Sequence, residues 1–167
     1  MNKIKLYQLE NSLKRFIAMF VIVLTIGVSL GLYYLYYTTS YSKNKIEQRY
    51  GETKEIVEGD FGIQENKGKS FSEILMTVHN HIIGFSIFFF IIGILFYFNS
   101  VISGNLKNII LFEPMFSIAI SFGSILGMKL VSNYLIYLVI VSASLMYFSF
   151  YFMVSIILYE LLFKENS

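Results

Sequence analysis

Apolar residues in this chain gather into four long, nearly uncharged blocks. A membrane-spanning α-helix needs about 20 mostly apolar residues, and the blocks at about 16–37, 72–98, 109–131 and 134–163 each supply that length. The second opens on Ser70-Phe71-Ser72-Glu73, the spacing of a capping box, in which a serine and a glutamate satisfy the open N–H groups of a helix start. Between the second and third blocks, residues 99–108 read NSVISGNLKN, a turn rich in Gly, Asn and Ser. Placing the third start near 109 puts Pro114 in a first helical turn, where its missing N–H is tolerated. Ser132-Asn133 is a second tight turn. Turns this short force the second, third and fourth helices into an antiparallel arrangement. The expected fold is all-α: an integral-membrane, four-helix, up-down bundle in one domain, with one long extramembrane loop at 38–71.

The first block follows Lys14-Arg15 and also invites the reading of a secretory signal. Its apolar run is too long for that, and Tyr33, Tyr34, Tyr36 and Tyr37 crowd the place where small residues precede cleavage. An uncleaved anchor is expected. Residues 38–73 hold 13 of the 24 charged side chains (13 Lys and Arg plus 11 Asp and Glu). Orientation follows the lysines and arginines. Lys3, Lys5, Lys14, Arg15, Lys107 and Lys164 fall on one side; Lys43, Lys45, Arg49, Lys54, Lys67, Lys69 and Lys129 fall on the other. Because four positives crowd the start of the first helix and its end has none nearby, both termini are expected in the cytoplasm.

Lipid tails are as apolar as leucine, so helices in a bilayer associate through close backbone approach and interhelical polar groups. Two GxxxG patterns offer such faces, Gly27 with Gly31 and Gly123 with Gly127. They would seat the first and third helices inside one bundle, or dock another chain. On the second helix, His79, Ser86, Gly93 and Ser100 recur every seven residues with Phe90 and Tyr97 between them. A seven-residue repeat holds one face toward a partner. That stripe is expected to face inward, with Ile82, Phe85, Phe89 and Ile92 toward lipid. On the fourth helix, Ser142, Ser149 and Ser155 form a broken polar edge.

Composition narrows the classes further. Charged residues make up 14% of the chain, against about 25% in soluble domains. A net charge of +2 is too small to suggest nucleic acid as a partner. With no cysteine, disulfides, thiolate metal sites, Fe–S clusters and covalently attached haem are excluded. Abundant Ile, Phe, Tyr, Lys and Asn with few alanines is the bias of an AT-rich bacterial genome.

Little of the chain can carry chemistry. The two histidines, His79 and His81, lie near the loop-side end of the second helix. At i and i+2 they are about 200° apart, so they cannot chelate one ion from one helical face. Met76 is one turn away and Met128 returns to the same depth on the third helix. His79, assisted by His81, Met76 or Met128, could bind copper, haem b or a quinone, with Glu73 or an acid from 52–65 folding over the mouth. The plainer reading has both imidazoles bonding to loop or headgroup atoms. Glu113 is read as a first-turn charge favoured by the helix dipole, with a proton or cation relay as its alternative. HExxH and Walker signatures are missing. No resident active site is expected. The expected role is a non-catalytic inner-membrane subunit or accessory protein that meets other membrane subunits or its own copies through Gly-rich faces.

Thr77-x-His79-x-His81 at the start of the second helix, together with Ile46-Glu47-Gln48-Arg49-Tyr50-Gly51 in the loop, resembles a set of small four-helix bacterial inner-membrane proteins of unassigned function. The resemblance implies the fold given above and marks His79 and His81 as positions to test. It implies no activity.

Overall fold

The computed structural model describes residues 5–50 and 69–164. A 3-10 turn (Leu6–Gln8) leads into α1 (Asn11–Thr39), followed by the short α2 (Lys43–Tyr50), α3 (Phe71–Tyr97), α4 (Gly104–Leu130) and α5 (Ile136–Leu162). A second 3-10 turn, Asn133–Leu135, introduces α5. The helices α1, α3, α4 and α5 are each long and apolar enough to cross a bilayer. The all-α membrane architecture read from the four blocks is present. Residues near both ends share one end of the bundle, the terminal face, while α2 lies at the other, the loop face.

Helices α3, α4 and α5 pack on one another, and α1 leans chiefly on α5. Phe96, Phe150, Ile92, Ile157, Met146 and Met153 are fully buried between them. On α1 the buried positions are Lys14, Ala18, Val21 and Thr39, so most of its surface is outward. A groove of about 340 Å³ runs between α1 and α5, lined by Ile22, Thr25, Ile26, Ser29, Leu30 and Leu158. Across it the hydroxyls of Ser29 and Tyr151 approach to 2.8 Å.

Helix starts are fixed by local chemistry. The capping box forms as read: the Glu73 N–H donates to Ser70 Oγ at 3.3 Å, and the Ser70 N–H donates to Glu73 Oε2 at 2.7 Å. Between α3 and α4 the turn needs fewer residues than expected. Asn99 closes it, its side chain donating to the Phe96 carbonyl and accepting from the Ile102 N–H at 2.7 Å. Gly104 then opens α4 at φ 69°, a left-handed conformation that glycine adopts without a Cβ penalty. Helix α4 therefore starts at Gly104 and not near 109, and Pro114 stands in the helix interior and not in its first turn.

The expected inward face of α3 is also corrected. Phe89 and Ile92 are 3% and 0% exposed, whereas Phe90 is 61% exposed and Tyr97 is outward too. Ile82 and Phe85 pack against the core. Of the seven-residue stripe, Gly93 is buried, Ser86 and Ser100 are half-buried, and His79 is exposed. Bulk decided the face: Ile74, Val78, Phe89, Ile92 and Phe96 share one helical side, and in lipid large interlocking side chains supply much of the packing.

The eight-residue α2 was not foreseen in the polar loop. Ser40 and Tyr41 both take φ 50° to turn the chain into it. The Tyr41 hydroxyl donates back to the Leu32 carbonyl at 3.0 Å, and Lys43 pairs with Glu47 at 3.6 Å.

Candidate functional site

The four residues proposed as one ligand site differ in exposure, and no hydrogen bond or ring contact joins them among the described residues. Met128 is 1% exposed and Met76 is 64% exposed. His79 is exposed as well. The better-placed imidazole is His81, not His79. Its Nδ1 lies 2.8 Å from the Thr77 carbonyl, which can only accept, so Nδ1 carries the proton. Its ring lies against Phe85 at 6.0 Å and Phe122 of α4 at 5.5 Å between centroids. Glu73 is spent on its capping box and does not close over a site there. The acids of 52–65 lie outside the described residues. Among the described residues, no three His, Cys, Asp or Glu side chains converge as a metal-holding group.

Cations and aromatic rings occupy the loop face instead. Lys43 Nζ donates to the Tyr137 hydroxyl at 3.0 Å and sits 4.7 Å from that ring's centre. Arg49 lies against the rings of Tyr34 and Tyr50, at 5.9 and 5.7 Å. Lys69 donates from its backbone to the Arg49 carbonyl at 3.0 Å and from Nζ to the Thr77 hydroxyl at 3.1 Å. The hydrogen bond to Tyr137 raises Lys43 above the ordinary lysine range. Burial pushes the Tyr50 phenol above its ordinary value of 10. Both groups hold protons more tightly folded than unfolded, so their contribution is complete at neutral pH and is lost as pH rises above about 10. Amide exchange in α2 is therefore expected to accelerate selectively above that pH. Equal loosening of α2 and α5 there would contradict this.

Glu160 is a residue the sequence reading passed over. It is fully buried at the terminal face, inside α5. Its Oε2 accepts the Ser100 N–H at 2.6 Å and its Oε1 the Tyr7 N–H at 3.4 Å. Lys164 donates to Ser100 Oγ at 2.7 Å and lies 4.8 Å from the Tyr7 ring centre. Leu6 joins the same clasp through its N–H to the Phe98 carbonyl at 3.2 Å. One carboxyl thus ties the N-terminal turn, the α3–α4 turn and the end of α5. An acid three residues from the end of an apolar block was the available signal.

Glu113 projects from the interior of α4 and not from its first turn. Ser117 donates to Oε1 and Ser149 of α5 donates to Oε2. Beside it an open groove of about 370 Å³ is lined by Asn108, Ile109, Phe112, Glu113 and Phe116.

The glycines divide in two. A Cβ on Gly127 would come within 2.6 Å of Leu135 Cδ1, and one on Gly93 within 3.3 Å of Leu111 Cδ1. Gly27, Gly31 and Gly123 are exposed, and among the described residues no neighbouring atom lies within 4 Å of an added Cβ. The expectation that both GxxxG patterns seat their helices within the bundle is corrected: only Gly127 is taken up.

No curated protein and no solved structure matches the chain. A family model described as a transmembrane helical domain, Aq_1264_TM, matches residues 40–167, from just past α1 through α5. With four bilayer-length helices and a match over most of its length, this multi-pass membrane protein belongs to that transmembrane helical domain family.

Proposed function

We propose that the protein is a non-catalytic subunit or accessory protein of a bacterial inner membrane, and that it associates through its outward glycine faces. The observation that carries this reading is the free surface at Gly27 and Gly31. In a bilayer such glycines allow two helix backbones to approach closely, and among the described residues no neighbour comes within 4 Å of a Cβ added at either. Gly123 offers a second such point on α4. The partner is another membrane subunit or a second copy of the chain. The exposure of Met76, His79 and His81, beside a buried Met128, supports association over a resident redox ligand. The positives at the start of α1 support a cytoplasmic side for both termini.

The natural absence of cysteine makes labelling clean. Ser40→Cys is expected to react with an impermeant thiol reagent from outside the cell, and Ser167→Cys only after permeabilisation. Outside labelling at 167 would reverse the orientation. Gly27→Leu and Gly31→Leu are expected to leave detergent melting within about 0.5 kcal/mol of the parent, as surface changes away from packed contacts do. A large loss of stability would show that these glycines serve the fold.

A further inference from the structure

Glu113 is a half-buried carboxyl at mid-depth of the bundle that neither the fold nor the association surface requires. It stands nine residues after Gly104, about 14 Å along the helix axis, and it reaches Ser149 at the middle of α5. Placement there is costly for an ionisable group. It has no ion-pair partner among the described residues. A glutamine could join the same two helices with less desolvation, so the clasp alone does not account for an acid.

The next residue adds an independent feature. Pro114 has no N–H, so the Ile110 carbonyl loses its helical i+4 donor. Positions 110, 113 and 117 fall on one side of α4. Two carboxyl oxygens and the hydroxyls of Ser117 and Ser149 are joined as one set of hard oxygen donors, with the released carbonyl on the same side of the helix, the kind of set that takes small hard cations at broken points of membrane helices. The groove gives access: Glu113 forms part of its wall, and Asn108 lies toward the terminal face.

We propose that Glu113, with Ser117, Ser149 and the Ile110 carbonyl, forms an exchangeable monovalent-cation site, filled by a proton or by Na+ through the Asn108–Phe116 groove. Counted along the packed helices, the titratable side chains flanking this level are Tyr97 on α3, Tyr147, Tyr151, Tyr159 and Glu160 on α5, and Lys107 on α4 itself.

Dicyclohexylcarbodiimide, which reacts with protonated carboxyls in apolar surroundings, tests this on the full chain in liposomes. Peptide mass spectrometry would locate the adduct among the 11 acids. The expected adduct is on Glu113 and declines as pH rises. Protection by NaCl, but not by choline chloride, assigns the site to Na+; decline with pH alone assigns it to the proton. In the Na+ case, Ser149→Ala is expected to keep the adduct and lose the protection. Failure to label Glu113, or labelling indifferent to both pH and Na+, overturns the proposal.

Discussion

Glu160→Ala is expected to lower the stability of the bundle by about 3 kcal/mol, the largest effect of any single side-chain deletion at the terminal face. Two backbone N–H groups, from Ser100 and Tyr7, depend on this carboxyl. A buried donor left without its acceptor costs about 1–3 kcal/mol. Alanine also leaves a void among residues with no solvent exposure, including Ile157. Glu160→Gln retains one acceptor oxygen and is expected to fall between alanine and the parent. Thermal melting in a mild detergent gives the order. The local signature would be faster exchange of the Ser100 amide, because that N–H loses its partner. Parent-like melting of the alanine variant would mean that the clasp contributes nothing to stability.

The second large effect is expected at Gly127. A leucine there would drive its Cβ to 2.6 Å from Leu135 Cδ1, where the chain turns from α4 into α5. Overpacking costs about 1–3 kcal/mol, and because the atom met is the tip of the half-buried Leu135 side chain, which can turn aside, the loss is expected at the lower end of that range. Gly123→Leu, one helical turn earlier, meets open space and is expected to be neutral for the fold. The pair separates two uses of one GxxxG pattern, since both variants carry the same change on the same helix. Equal destabilisation by both would show that helical propensity or lipid contact, and not the Leu135 contact, sets the cost.

Most of the architecture was legible because a bilayer restricts what can cross it. Apolar blocks of the required length and the Ser70–Glu73 spacing gave α1, α3, α4 and α5 to within a few residues at most ends. The start of α4 was missed because Gly104, Asn105 and Asn108 resemble a turn. Asn99 closes that turn earlier, and Gly104 opens the helix. That shift moved Glu113 from a helix start to the middle of α4, half-buried against Ser149 of α5, which changed its chemistry from dipole compensation to a candidate site. The face of α3 was misread because polarity was taken as the guide to the interior. Between lipid-solvated helices large side chains such as Phe89 and Ile92 interlock, and a small polar residue can face either way. Contacts between distant segments left no periodic trace: the Tyr7–Ser100–Glu160 clasp joins three parts of the chain. Helix α2 is too short and too polar for any apolar pattern to reveal it.

The association account rests on the outward face of α1, so the mass of the native particle tests it most directly. The chain alone weighs 19.4 kDa. Native mass spectrometry from mild detergent or nanodiscs is expected to find the parent in a complex larger than this, with a second copy or a distinct membrane subunit. Gly27→Leu with Gly31→Leu is expected to release the single folded chain. A parent that is strictly monomeric and carries no other protein, or a double variant whose complex is unchanged, would contradict the account.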